Sequence, residues 1–197
     1  MDKHRLEALT DGIFAFAMTL LVLGIEVPDE TTAAFASPTP VQDLLSSLTP
    51  DFTHYFVAFI ILAAFWILHH SFTERIRSVD RKMLWLNITG LLFVALIPFS
   101  TDLADSYVGY PISAMVFELN VFLVGALFFL QWSYASKGRR FISPETTDAE
   151  ISYLNRAIGT MPAISLAAMC VAAAGIGWSA MLFWLVPFFY LLPAQRK

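Results

Sequence analysis

Between Asp11 and Glu26 the chain runs GIFAFAMTLLVLGI without one ionisable side chain. Taken as a helix from Leu6 to Val27, at about 1.5 Å per residue, the stretch is about 33 Å long, enough to cross a hydrocarbon core of about 30 Å. A membrane-spanning helix is the reading that follows. Its entry turns nevertheless carry Arg5, Glu7, Thr10 and Asp11, and an unpaired charge inside a bilayer costs at least about 2.5 kcal/mol. A plain anchor has no use for them, although Thr10 or Asp11 capping the helix start and Arg5 lying among headgroups would also account for the pattern.

The rest of the chain is of the same kind. Of 197 residues 57% are hydrophobic and 14% charged, and the mean hydropathy is +0.65, outside the range of soluble domains. The single cysteine, Cys170, lies in an Ala-rich apolar run, which excludes a disulfide framework or a cysteine-based metal site within one chain. The N-terminal apolar run is longer than a signal-peptide core and has no small-x-small cleavage site between Val22 and Val27, so it is read as part of the mature protein.

The pattern predicts an all-α integral membrane protein, residues 1–197 forming one domain of six transmembrane helices at about 5–27, 52–73, 83–103, 112–135, 157–174 and 178–193. Residues 28–50 read as a loop rich in Pro, Thr, Ser and Ala, with a short helical turn at Val41–Leu48. Pro98 is expected to kink the third span or end its regular part. Lys137–Arg156 reads as a polar loop with an amphipathic turn near Pro144–Leu154. The short sixth span has to tilt or thin the membrane locally.

Six spans put both ends on one side. All 12 Lys and Arg residues fall at the two termini and in the second-to-third and fourth-to-fifth loops. The positive-inside pattern therefore makes both termini cytoplasmic, as in a multi-pass protein of the plasma (cell inner) membrane. The three opposite loops carry Glu26, Asp29, Glu30, Asp43, Asp51, Asp102 and Asp105 and no base. Such a rim, with Glu26, Asp29 and Glu30 nearest the first helix, concentrates cations and repels anions, unless it is ordinary loop composition.

Two constellations stand out. On the first helix Phe16, Thr19 and Leu23 recur on one stripe. Lipid would cover such a stripe equally well, but in a narrow pore Phe16 and Leu23 would constrict and dewet the path and Thr19 would add a ring of hydroxyl oxygens. On the second helix Trp66, His69 and His70 fall at the depth of Arg5, Thr10 and Asp11, where the six could form a structural polar cluster holding the first helix against the second. Interfacial Trp66 and solvated histidines are the alternative. Haem is disfavoured because the remaining histidines, His4 and His54, lie elsewhere. No metal-ligand set, Gly-flanked Ser nucleophile, phosphate-cradling Gly loop or basic nucleic-acid surface is visible, which argues against an enzyme or a nucleic-acid partner.

Arg5-x-x-x-Leu9-Thr10-Asp11, followed by Ala15, Thr19 and Leu20-Leu21, resembles the Arg-x-x-x-Phe-Ser-Asp signature of the lysosomal and bacterial transmembrane potassium channel family that lacks a Thr-Val-Gly filter. The likeness continues through Trp66, His69-His70, Asp80, Trp85-Leu86-Asn87 and Pro98-Phe99. It covers the first three helices by motif and the last three by hydropathy. Leu9, Thr10 and Phe16 depart from the pattern; Phe16 stands where the family usually has Ile or Leu, and an aromatic ring there could narrow the pore further. The resemblance implies a homotetramer in the lipid bilayer that passes monovalent cations, potassium first, with no cofactor beyond the permeant ion. The first helix of each subunit would line a central pore, with Phe16, Thr19 and Leu23 at the constriction. Since one apolar helix cannot enclose a path, the copies must assemble around an axis. A proton-coupled or small-solute transporter subunit is the alternative, but a transporter is expected to carry inverted repeats with broken helices, and Pro98 and Pro162 are the nearest approach to that.

Overall fold

A computed structural model describes residues 3–27, 39–177 and 179–187 of the chain. Helix α1 spans Lys3–Leu20 and tightens into a 3-10 turn at Leu21–Gly24; α2 is Pro40–Ser47, α3 Thr49–Glu74, α4 Arg81–Ser106, α5 Pro111–Ser136 and α6 Asp148–Ala173. Among the described residues five segments are long and apolar enough to cross a membrane: Lys3–Gly24, Thr49–Glu74, Arg81–Ser106, Pro111–Arg139 and Asp148–Ala173. The sixth expected span, 178–193, lies partly outside the described residues, and what is described of it begins as a 3-10 helix, Ser179–Leu185.

Two boundaries differ from the sequence expectation, each for a local reason. Helix α6 begins at Asp148, well before the expected 157, so the polar stretch near Leu154 is helix. Thr147 and Glu150 form a reciprocal capping box: the Thr147 hydroxyl accepts from the Glu150 N–H at 3.2 Å and the Thr147 N–H donates to Glu150 Oε2 at 2.9 Å. Two backbone donors that a helix start leaves orphaned are satisfied there. Helix α4 runs through Pro98 to Ser106 as one element. The Thr101 hydroxyl donates to the carbonyl of Ile97, the residue before the proline, at 2.8 Å.

Helix α5 packs most extensively, against α4 on one side and α6 on the other. These contacts are close because glycine lines them. A Cβ built on Gly125 would sit 2.8 Å from Pro162 Cδ and 3.1 Å from Pro162 N, and one on Gly90 would sit 2.7 Å from Phe128 Cε1. Small residues at helix crossings let backbones approach in a membrane, where lipid tails supply no hydrophobic drive. The core is aromatic where α1, α3 and α5 meet: the Phe65 and Phe128 rings are 5.9 Å apart and edge-on, and Phe72 lies 6.0 Å from Trp132.

At the end of the bundle that carries the basic residues, Asp80 caps α4 by accepting from the Met83 N–H at 2.8 Å, and its other oxygen accepts from the Tyr134 hydroxyl at 2.6 Å. The Tyr134 hydrogen bond, aided by the backbone N–H groups and Arg140, holds the Asp80 carboxyl below its ordinary range. A depressed folded-state value means that ionised Asp80 stabilises the fold above about pH 4 and that this contribution is lost as pH falls further.

Two outcomes follow. Gly125→Ala should lower stability by about 1–3 kcal/mol, while Gly159→Ala, whose Cβ would meet Phe129 at an ordinary 3.6 Å, should be near neutral; thermal unfolding in detergent separates them. In the same assay, the fall of the wild-type Tm below about pH 4 should be shallower in Asp80→Asn.

Candidate functional site

Helix α1 has two contrasting faces. Leu6, Thr10, Phe14, Ala17 and Leu21 are buried against the bundle, at the spacing expected of one helical stripe. The opposite face is bare: Phe16 is 65% and Leu23 71% exposed, with Gly12 and Thr19 also exposed on the same side. The Thr19 hydroxyl is turned back to the Phe16 carbonyl at 2.8 Å, which leaves its oxygen lone pairs on the exposed side of the helix. The three residues of the sequence-predicted stripe thus stand together on a surface that the subunit does not cover.

The six residues expected to form one polar cluster fall into two groups. The exposed group runs along α3 and meets α1: the Trp66 indole N–H donates to Asp11 Oδ1 at 2.9 Å, the Trp66 and His70 rings stack at 5.8 Å, and His70 Nε2 lies 3.2 Å from Glu74 Oε1. The second group is buried and centres on Asn87 of α4, fully inaccessible. Asn87 Nδ2 donates to the Thr10 hydroxyl at 3.2 Å, and its Oδ1 accepts from His69 Nε2 at 2.7 Å and from Gln131 Nε2 at 3.2 Å. Arg5 is exposed and bonds to none of the described residues.

Each donor in the buried group has one consistent role. The Thr10 hydroxyl gives its proton to the Leu6 carbonyl at 3.0 Å and so accepts from Asn87. Because Asn87 Oδ1 can only accept, His69 carries its proton on Nε2. His69 Nδ1 is left to accept from the Thr73 hydroxyl at 3.3 Å. The neutral His69 ring also packs on Phe72 and Phe128, at 4.7 and 5.0 Å. One amide thereby ties α1, α3 and α5 to α4. Gln131 escapes sequence inspection, since a lone glutamine late in the fourth span has no motif; the available signal was a strongly polar residue in an otherwise apolar helix.

The acidic end of the bundle is a hollow of about 240 Å³ beside the 3-10 turn of α1, lined among others by Leu23, Glu26, Asp51, Asp102 and Asp105. His54 Nδ1 and Asp105 Oδ1 are hydrogen-bonded there. Glu26 is exposed, whereas Asp29 and Glu30 of the expected rim lie outside the described residues. Among those residues no three metal-ligating side chains converge.

Asn87→Ala should remove the partner of three buried polar groups at once. A loss of about 3 kcal/mol is expected, or on the order of 10 °C in Tm, whereas exposed His70→Ala should cost far less; thermal unfolding of the purified protein reads both.

Residues 5–98 match the family model described as the endosomal/lysosomal potassium channel TMEM175. The chain is 27% identical to a potassium channel of Streptomyces collinus, over 81% of this chain and 78% of the relative. It is 28% identical to a potassium channel of Chamaesiphon minutus, over 87% and 84% respectively. The crystal structure of a lysosomal potassium-selective channel TMEM175 homolog from Chamaesiphon minutus superposes with a TM-score of 0.81 at 25% identity, covering 96% of both chains. The matched segment contains nearly all of α1, the buried Asn87 and its partners Thr10 and His69, and the superposition extends to the helices beyond it: the chain is a multi-pass membrane protein that is similar to TMEM175 channels over its first three long helices and shares the fold of the TMEM175 homolog along nearly its whole length.

Proposed function

We propose that the chain is a potassium-permeable cation channel in which the first helices of four copies surround the ion path. Two relatives that the chain matches along most of their length are potassium channels, and the family model matched over residues 5–98 is that of a potassium channel. The observation that carries the arrangement is the bare face of α1. A helix held to its own bundle by Thr10, Phe14 and Ala17, and presenting Phe16, Thr19 and Leu23 outward, is oriented for an axis that only further copies can complete.

In that arrangement each stripe position becomes a ring of four. Phe16 and Leu23 provide no oxygen to replace hydration water, so their rings set a barrier by dewetting, and the Thr19 ring, between them in sequence, lowers it locally with hydroxyl oxygens. The acidic hollow beside Leu23 raises the cation concentration at one mouth, an effect that falls with ionic strength. Asp11, bonded to Trp66, and the buried Asn87 group hold the helix at the rotation that turns the stripe toward the axis; Arg5 stands at its entry. The charge asymmetry of the loops places both termini in the cytoplasm of a cell whose inner membrane holds the channel.

Ion flux from reconstituted liposomes under opposed KCl and NaCl tests this. Phe16→Ala and Leu23→Ser should raise flux several-fold and lower potassium over sodium preference. Thr19→Val should alter preference with a smaller change in flux, and Met18→Ala, half-buried, should behave as wild type. Native mass spectrometry in mild detergent should give a tetramer. Equal behaviour of Phe16, Leu23 and Met18 variants would remove the stripe from the ion path, and a stable monomer would overturn the arrangement.

A further inference from the structure

A second cavity, of about 160 Å³, lies between the acid-end halves of α3, α4, α5 and α6 and the 3-10 segment Ser179–Leu185. Its wall contains Glu118 of α5, and the Glu118 side chain is fully inaccessible, with neither carboxylate oxygen hydrogen-bonded to any described residue. The Ser179 hydroxyl is turned to the carboxyl as a hydrogen-bond donor, but neither oxygen has a partner at full hydrogen-bond geometry. Helix geometry puts Glu118 about 10 Å along α5 from Pro111, below the level of the acidic residues that crowd the same end. The neighbouring Asn120 faces elsewhere, donating to the Ser100 hydroxyl at 3.1 Å. None of the polar networks described above includes Glu118.

A carboxylate buried without a partner is among the most costly groups a protein can hold, so such groups are ordinarily paired. The rest of the cavity wall is mostly apolar, with Val57, Ala104, Ala114, Phe117 and Ala172 in it. The Thr101 and Ser113 hydroxyls in that wall direct their protons to backbone carbonyls. Two carboxylate oxygens and a few hydroxyls cannot replace the hydration shell of a bare alkali ion. An organic cation satisfies both halves of the site, its charge on Glu118 and its hydrocarbon on the apolar wall. The volume matches: dry cavities of about 150 Å³ accept a benzene-sized molecule. The open side of the cavity is bordered by His54, which also borders the acidic hollow, where Asp51, Asp102 and Asp105 gather cations.

We propose that the Glu118 cavity is a binding site for a small primary organic ammonium ion with a hydrocarbon body of about the size of a benzene ring. The site belongs to a single subunit and lies apart from the α1 stripe, so it stands or falls independently of the channel arrangement.

Radiolabelled benzylammonium binding to the purified full-length protein, read by scintillation proximity, tests the proposal. Saturable binding is expected, displaced by unlabelled benzylammonium and at least about ten-fold more weakly by benzyl alcohol, the ratio that one charge-assisted hydrogen bond supplies. Glu118→Gln should abolish that preference. Ala114→Leu keeps the carboxylate and fills the cavity, so it should weaken benzylammonium binding at least ten-fold even where Glu118→Gln does not fold. Equal displacement by amine and alcohol would mean a neutral Glu118 and overturn the proposal. Displacement by KCl as effective as by benzylammonium, or full binding to Ala114→Leu, would overturn it as well.

Discussion

The structure depends on one buried amide. In hydrocarbon, apolar side chains of neighbouring helices gain little from one another that lipid would not also supply, so packing detail and interhelical hydrogen bonds decide which faces meet. Asn87 makes three such bonds from one side chain, to Thr10, His69 and Gln131. Rotating α1 by a single residue would carry Thr10 about 100° away and leave the Asn87 amide group without its acceptor. The contact selects a rotation as well as a distance. Phe14 and Ala17 follow Thr10 to the inside, and the bare stripe of α1 follows of necessity to the outside.

That coupling links an interior network to a surface property. The stripe residues Phe16, Thr19 and Leu23 are exposed on their own subunit, and the residues that set their direction are buried. Thr73 bonds the other ring nitrogen of His69, His69 and Gln131 orient Asn87, and Asn87 holds Thr10. Outside the bundle a separate chain of contacts, from Asp11 through Trp66 and His70 to Glu74, braces the same helix from the exposed side. Two braces about 100° apart on one turn oppose rotation of the helix.

The two ends of the molecule are chemically distinct. The basic end is closed by caps and short bonds: Asp80 with Met83 and Tyr134, Thr147 with Glu150, and Arg139 with Asp148 at 2.7 Å. The acidic end is hollow, with two cavities that share His54 in their walls, one holding Glu118 and the other lined by Glu26, Asp51, Asp102 and Asp105. The capped end keeps the helices in register.

How much of this was legible in the sequence follows from the range of each interaction. Membrane character, helix positions, the split of charge between loops and the outward stripe Phe16, Thr19, Leu23 are set by composition and by spacing within one helix, so the linear chain carries them. The division of the expected polar cluster was not: Asp11, His69 and His70 share a membrane depth, which sequence reports, but adjacent helical positions point about 100° apart, sending His69 to the core and His70 to the surface. Gln131 at Asn87 and the unpartnered Glu118 beside an apolar cavity depend on which helices are neighbours. That choice is made by close packing, such as Gly125 on Pro162, and only the tertiary structure decides it.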